Sequence, residues 1–453
     1  MEFVAFDKPR ACRDIASIIT QVQAGQLKDG DAVTVQGSLH RIKEMSGFAF
    51  VNVRGARHVF QCIWHDDSSQ GSIKDYAVED CVVINGSIVA EERSRLGFDI
   101  RIESMEKLSS AAEQLPVEIS NDRKIDKLQL STLLDHRVVT LRNPKVRAAM
   151  RIADGVMHAF RTHLRSEGFV EFVPPKLVQA GAEGGAALFE VDFFGDKAYL
   201  TQSPQMHKQI MVGSVNKAYC VAPAFRGEKH STNRHLCEYE SLDFEMGYID
   251  SFQDLMAVEC RLFTHMLRFL NEEYAPELEM FLGQGNRLPE ITQYPQIKFS
   301  EAKRLYADAH NKPAEDLADL SPDEEKWLGE HFLKEHNAPI VFITHYPSKK
   351  RPFYAMDDPT DTRVTLSFDC LMYGQEVTTG GQRIHDYHEQ VAKMQARGMD
   401  IADFGDYLAM HKYGMPPHGG LALGMERVVQ KLLGLDNIRR ATAFPRDRER
   451  LSP

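Results

Sequence analysis

At 453 residues the chain is long enough for two to three domains, each with its own core. Hydrophobic residues make up 43% and charged residues 26%, the balance of a soluble globular protein, and no apolar run reaches membrane-spanning length. A net charge of −11 excludes a generally basic nucleic-acid-binding surface, so any such contact must be a local patch on an acidic body.

Residues 1–10 lack a basic region followed by a long apolar one, so no signal peptide is expected. Seven scattered cysteines, an odd count without a C-x-x-C pair, argue against a disulfide framework or zinc site and for a reducing, cytoplasmic compartment. Up to about residue 29 the spacing of Ile15, Ile18, Ile19 and Val22 is helical. Short β-rich runs follow at 33–35, 48–53, 59–63, 81–89 and 98–103, broken by Gly37, Gly47 and Gly55. Five short strands with one insertion suit a Greek-key barrel of the OB type, although other small β-domains share that pattern. Residues from 108 to 135 are polar and mixed, a hinge. The expected boundaries are therefore a barrel domain over 1–108, a linker over 109–140 and a second domain over 141–453.

The second domain opens with a long amphipathic helix after Pro144, in which Val146, Met150, Ala153, Met157, Phe160 and Leu164 recur at three and four. The run 169–176 reads as a strand whose Pro174 and Pro175 suit an edge or an interface. Further strands are expected at 341–344, 367–372 and 421–423, and helices at 252–272, 299–311, 322–335, 387–398 and 425–434. Mixed rather than alternating elements predict an α+β domain, a mostly antiparallel sheet flanked by helices.

Four stretches carry candidate chemistry. Residues 181–185 form a glycine-rich loop with one carboxylate, Glu183; a plain turn is the alternative. Gln205 and Lys208 are three apart and share a helix face, which also describes surface polar groups. In 225–246, Tyr239, Leu242, Phe244 and Met246 sit among acidic residues as in a half-buried antiparallel strand, and Arg226, Glu228, Arg234 and His235 crowd its loop and strand ends. Arginine grips phosphate bidentately, so this crowding points to a polyanionic small molecule, with a solvated salt-bridged hairpin as the alternative. In 368–385, Asp369 and Glu376 are carboxylates that can converge on Mg²⁺, and Arg383 can fork onto a carboxylate. Gly380 and Gly381 let backbone approach a ligand, which speaks against a plain salt-bridged strand pair.

The F-R-x-E, loop, R-H-L-x-E pattern of 225–238 resembles motif 2 of the class II aminoacyl-tRNA synthetases, and the ending at 242–246 resembles their aspartyl branch. The helix from Val146 and the strand ending at Pro175 resemble motif 1, the dimer element of the class. Residues 418–427 resemble motif 3, with Ala422 where glycine is more usual. Residues 369–383 match the aspartyl D…G-x-E…S-G-G-Q-R pattern, Thr379 replacing serine and keeping the hydroxyl. The R-P-F-Y at 351–354 and the tail at 444–453 are similar to further parts of that branch.

The resemblance covers nearly the whole chain. It implies a homodimer with an OB anticodon domain and a class II catalytic domain, activating L-aspartate with ATP and Mg²⁺ and transferring it to the 3′ end of tRNA(Asp). It implies that Arg226 holds the α-phosphate and Arg427 the γ-phosphate. Glu228 and His235 would support the nucleotide, with Arg234, Leu236 and Gly424 around it and Tyr239 stacked on adenine. Glu183, Gln205, Lys208, Tyr354, Thr379 and Arg383 would surround aspartate. Asp369 and Glu376 would hold Mg²⁺, Glu376 also bordering ATP. Two other readings are an asparagine synthetase of this fold, whose relatives lack the OB domain, and a paralogue that has lost catalysis, against which the full charged set argues.

On the barrel, an exposed Phe50 can stack an unpaired base and Gln61 can read its edge; a core position for Phe50 is the alternative. The resemblance places this pair on the central anticodon uridine shared by tRNA(Asp) and tRNA(Asn). His40 stands where strict relatives carry tryptophan and relaxed ones histidine, whereas Arg95 stands where strict relatives carry lysine. Tryptophan is bulkier and excludes a base, so His40 weighs more, and aspartylation of tRNA(Asn) as well is expected.

Overall fold

The computed structural model describes residues 14–179, 187–227, 231–313 and 319–453. Glu183 and Glu228 lie outside the described residues. The chain divides into two units, Met1–Pro144 and Lys145–Pro453.

In the first unit, α1 (Ile15–Gln23) starts at Asp14, whose carboxylate accepts the Ala16 N–H and so satisfies one free donor of the helix start. Strands β1 (Ala32–Glu44), β2 (Phe48–Arg54), β3 (Val59–His65), β4 (Cys81–Ala90) and β5 (Phe98–Ser109) close a barrel in the order β1-β2-β3-β5-β4. The period of two is clean in β2, where Ala49, Val51 and Val53 are buried and Phe48, Phe50 and Asn52 lie on the other face. Phe50 is therefore not a core residue. The expected linker is more ordered than its composition suggests. It carries three short helices, α2 (Asp122–Asp126), α3 (Leu130–Asp135) and α4 (Arg137–Thr140), which bury Ile125, Leu133 and Leu134. Each is too short to show a helical period in sequence.

The second unit begins with α5 (Pro144–Ser166), β6 (Val170–Glu171), β7 (Leu177–Val178), β8 (Glu190–Phe193), β9 (Asp196–Leu200) and α6 (Gln205–Val215). Then come β10 (Lys217–Phe225), β11 (Glu238–Gly247), α7 (Gln253–Glu273), α8 (Ala275–Leu282), β12 (Gln296–Lys298), α9 (Phe299–Ala309) and α10 (Pro322–His336). The remainder is β13 (Ile340–Thr344), β14 (Asp357–Asp358), β15 (Asp361–Thr365), β16 (Ser367–Met372), β17 (Gln375–Arg383), α11 (Tyr387–Ala396), α12 (Gly405–Lys412), β18 (His418–Gly424) and α13 (Met425–Leu432). An eight-stranded sheet runs β12-β13-β16-β17-β18-β11-β10-β6, antiparallel except for the parallel pairs β12–β13 and β10–β6. The strand expected over 169–176 shrinks to the two residues of β6, because Pro174 and Pro175 have no N–H for a ladder. Phe244, Phe368, Cys370, Leu421 and Leu423 pack into one core with Ile152, Val156, Leu255 and Phe263 of α5 and α7. The opposite face of the sheet is left for function.

Candidate functional site

Register builds that face. Asp369 aligns with Thr379, Thr379 with Ala422, and Ala422 with Asp243, one row across four strands. Aligned residues project to the same side of a sheet. In the next row Gly381 aligns with Gly420 and Gly420 with Glu245. A methyl group on Gly420 would come within 2.2 Å of the Glu245 carboxylate, so the missing side chain makes room for that charge.

A cleft of about 780 Å³, counting its open mouth, brings together Arg226, Arg234, His235, Leu236, Tyr239, Glu376, Gly424 and Arg427. These are the described residues expected around the nucleotide. The Arg226 guanidinium stands 5.7 Å from the Tyr239 ring centre, a cation–π contact. Arg234 Nη2 donates to Glu325 Oε1 at 2.9 Å, and Glu325 Oε2 accepts the Glu376 N–H at 3.1 Å. Arg427 Nη1 donates to the Glu376 carbonyl at 3.1 Å and lies 3.4 Å from its carboxylate. His235 Nδ1 is 2.6 Å from Thr232 Oγ1. The tail closes onto this hairpin through the Cys237 N–H, which donates to the Arg446 carbonyl at 2.8 Å. Thr379, expected at the amino acid, lines this cleft and donates to Glu376 at 3.0 Å.

Sequence reasoning missed Ser241, Glu325 and Glu426. Burial pushes the Glu426 carboxyl up to about 8, and its two oxygens accept the Glu240 N–H at 3.1 and 3.2 Å. Its position beside Arg427 in a matched motif was the available signal.

Asp369 is buried, with Arg351 Nη2 2.7 Å from its Oδ1. Burial raises its carboxyl to about 7 against the pull of Arg351, and the Glu376 charge pushes the same way. Burial also works against Glu376, but Arg427, the Thr379 hydroxyl and Arg351 outweigh it and hold that carboxyl below its ordinary range. No group of three His, Cys, Asp or Glu side chains forms a metal cage among the described residues. Two neighbouring carboxylates, one with a buried oxygen that lacks a hydrogen bond, do fit Mg²⁺, which draws most of its ligands from water and phosphate.

At the end of β17, Arg383 is fixed by four hydrogen bonds. Nε donates to Glu245 at 2.8 Å; Nη2 donates to Glu245 at 3.4 Å, to Gln205 Oε1 at 3.3 Å and to the Gly420 carbonyl at 3.0 Å. The Tyr354 ring centre is 5.3 Å from its guanidinium. All four bonds run from Nε and Nη2, and among the described residues none runs from Nη1, which is left for a ligand. Lys208, expected at the amino acid, lies beneath Arg383. Its ammonium is fully buried on Asp243 at 2.8 Å, the Leu421 carbonyl at 2.9 Å and Glu245 at 3.5 Å. Two hydrogen bonds and one longer ion pair hold the ammonium, so in this arrangement Lys208 supports the Glu245–Arg383 pair from behind.

On the barrel a groove of about 760 Å³ is lined by Phe48, Phe50, Gln61, Ile63, His65, Glu91, Arg93, Ser94 and Asp99. The Phe48 and Phe50 rings meet edge to face at 5.3 Å, and Gln61 Nε2 donates to Asp99 at 2.9 Å. His40 is not on this groove. A bulge between Leu39 and Arg41 breaks the alternation of β1 and leaves Leu39 and His40 both buried. His40 Nδ1 lies 3.3 Å from Arg54, which forks onto Glu79 at 2.5 and 2.8 Å, with Arg142 on the same carboxylate at 2.7 Å. Arg95 is exposed and outside the groove's lining; Arg93 stands there in its place.

Residues 129–448 match the family model of the class II tRNA synthetases (D, K and N). The chain is 41% identical over 432 residues to an aspartate–tRNA(Asp/Asn) ligase of Deinococcus radiodurans, covering 94% of this chain and 96% of that protein. It is 34% identical over 432 residues to an aspartate–tRNA(Asp) ligase of Thermococcus kodakarensis, covering 94% and 97%. Among solved structures it is similar to the asparaginyl-tRNA synthetase of Pyrococcus horikoshii complexed with asparaginyl-adenylate, at TM-score 0.85, 31% identity and 94% and 97% coverage. With a matching family model over most of its length and these relatives, the chain belongs to the class II tRNA synthetases of the D, K and N group.

Proposed function

We propose that this chain is an aspartate–tRNA ligase acting as a homodimer in the cytoplasm. The observation that carries the choice of amino acid is Arg383, immobilised by Glu245, Gln205 and the Gly420 carbonyl, with Nη1 left without a partner among the described residues. A pre-set guanidinium favours a carboxylate; an amide would bring an NH₂ against its donors and leave them unpaired. The relatives named aspartate–tRNA ligase support this over a free asparagine synthetase or a silent paralogue.

The chemistry is positioning and charge stabilisation. Arg226 fixes the α-phosphate over the Tyr239 side of the cleft, and Arg427 and Arg234 receive the distal phosphates. The aspartate α-carboxylate attacks the α-phosphorus and pyrophosphate leaves. The terminal 3′-hydroxyl of tRNA then attacks the aspartyl carbonyl and AMP leaves. Asp369 and Glu376 would hold Mg²⁺, which screens phosphate charge when bound. Tyr354 and Gln205 brace Arg383. Glu183 and Glu228 keep the roles that the family pattern gives them, at the substrate ammonium and the nucleotide.

Residues 1–108 would serve as the anticodon domain, 109–140 as the hinge and 141–453 as the catalytic domain. Val170 and Val173, 46% and 87% exposed beside the edge strand β6, suit the homodimer contact. Six described cysteines are free thiols, in keeping with a reducing compartment. Pyrophosphate exchange with aspartate and with asparagine, with and without tRNA, tests the assignment; exchange supported equally by both amino acids removes it.

A second reading extends the substrate to tRNA(Asn), supported by the Asp/Asn names of the 41% identical relatives. His40 would act through Arg54 and Glu79 on barrel shape rather than by touching a base. Charging of purified tRNA(Asp) and tRNA(Asn) transcripts decides it. A preference for tRNA(Asp) above about a hundredfold, roughly 2.7 kcal/mol, marks a discriminating enzyme.

A further inference from the structure

Arg351 has no role of its own in the two-step reaction, yet it sits on one of its central carboxylates. It follows the 3-10 turn Ser348–Lys350 with extended backbone. Its N–H donates to the Ser348 carbonyl at 3.2 Å and its own carbonyl accepts from Arg397 at 2.7 Å, which anchors the main chain. The side chain runs inward, its guanidinium 3.9 Å from the Tyr346 ring centre and 2.7 Å from Asp369 Oδ1.

The geometry of that pair is unusual for a structural salt bridge. Arg351 Nε and Nη2 and Asp369 Oδ1 are all buried without a well-directed hydrogen bond. By contrast, Arg54 meets Glu79 through two hydrogen bonds at 2.5 and 2.8 Å. Donors and acceptors buried this way are costly, so packing alone does not account for Arg351. What it supplies is positive charge where two carboxylates meet, since both Asp369 and Glu376 act on it. That is also where the proposed function puts a divalent cation.

We propose that Arg351 is the resident counter-ion of the Asp369–Glu376 pair, holding Asp369 while nucleotide is absent and disfavouring a free divalent cation until a triphosphate brings the remaining oxygen ligands. The proposal rests on the assignment of these carboxylates to Mg²⁺. Like charges a few ångströms apart repel strongly in a partly buried site, so metal and guanidinium compete for Asp369. The Tyr346 face keeps the guanidinium stabilised when the carboxylate is taken.

Mn²⁺ serves as the probe, its free signal read by electron paramagnetic resonance on the full-length protein without nucleotide. Arg351→Met should bind Mn²⁺ at least about tenfold more tightly than the parent protein. Arg351→Lys, which keeps the charge, should stay close to the parent. Asp369→Asn in the Arg351→Met background should cancel the gain. Near-ultraviolet circular dichroism checks folding, and Arg351→Gln replaces the methionine variant with the same expected direction if that one does not fold. Binding no tighter in the folded neutral variants, or a gain that survives Asp369→Asn, overturns the proposal. If Asp369→Asn and Glu376→Gln leave Mn²⁺ binding in the presence of ATP unchanged, the metal assignment itself fails and this proposal with it. If they abolish it while the neutral Arg351 variants match the parent, only the role of Arg351 fails.

Discussion

The nucleotide cleft and the barrel groove both open on sheets, but they handle charge in opposite ways. In and beneath the cleft, charges come in pairs: Arg234 with Glu325, Arg427 with Glu376, Arg351 with Asp369, Arg383 with Glu245 and Lys208 with Asp243. The groove sets two aromatic rings and an amide held by one carboxylate beside Glu91 and Arg93, while the barrel's ion network of Arg54, Glu79 and Arg142 is formed by residues outside its lining. A site of paired charges binds a polyanion by exchanging partners, so deleting one member strands another. A site of ring faces binds neutral base surfaces, so truncation costs only the lost stacking. The first should fail abruptly under mutation and the second by degrees.

Arg383→Leu is the most severe way to test that difference. Aspartate-dependent pyrophosphate exchange should lose at least about a thousandfold in kcat/KM, roughly 4 kcal/mol. Among the described residues Glu245 would keep only Lys208 as an ion-pair partner, and a buried pair broken on one side costs about 3–5 kcal/mol, so the melting temperature should fall as well. ATP affinity and binding of the anticodon arm should change little. An equal loss of ATP and aspartate affinity would show that Arg383 does not face the amino acid.

Asp369→Asn and Glu376→Gln should each lower exchange by about a hundred- to a thousandfold, roughly 3–4 kcal/mol, while retaining the fold. EDTA should stop the parent enzyme; full activity in EDTA would remove the metal from the mechanism. Phe50→Ala probes the other region. Losing one stacked base costs about 1–3 kcal/mol, so kcat/KM for tRNA should fall roughly ten- to a hundredfold with exchange untouched. Unchanged charging by that variant would mean that no base stacks on Phe50.

What could be read from sequence follows the same division. The cleft was legible because its residues lie in short contiguous patterns: Arg226 and Tyr239 belong to one hairpin, and Gly424 and Arg427 to one strand–helix junction. The partners were not. Arg383–Glu245 and Lys208–Asp243 join residues 138 and 35 positions apart, and only sheet register and helix placement bring them together. In the barrel, alternation alone could not decide whether Phe50 faced in or out. Nor could a resemblance at one position show the bulge in β1 that leaves His40 buried beside Leu39. The helices within 109–140 were hidden because capping by Asn121 and a few buried leucines, rather than periodicity, define them.

The smallest expected effect lies behind the paired charges. Glu259 on α7 is fully buried, near Leu255, Leu262 and Phe263 in the same core, and no cation pairs with it among the described residues. Burial pushes its carboxyl up to about 8; the Thr378 hydroxyl pulls the other way and the Asp369 charge adds to the rise. The unfolded value is near 4.5, so between those limits the folded state holds a proton that the unfolded state releases. The stability tied to this neutral carboxyl is thus complete below about pH 4.5 and is lost as pH rises through about 8. Glu259→Gln removes the titration. At pH 4 the two proteins should melt within a degree of each other, about 0.5 kcal/mol or less. At pH 8.5 the glutamine variant should be more stable by at least about 1 kcal/mol, or roughly 2–4 °C. Parallel melting curves at both pH values would show that Glu259 is ionised and partnered, and that the rule of paired charges extends through the sheet to its back face.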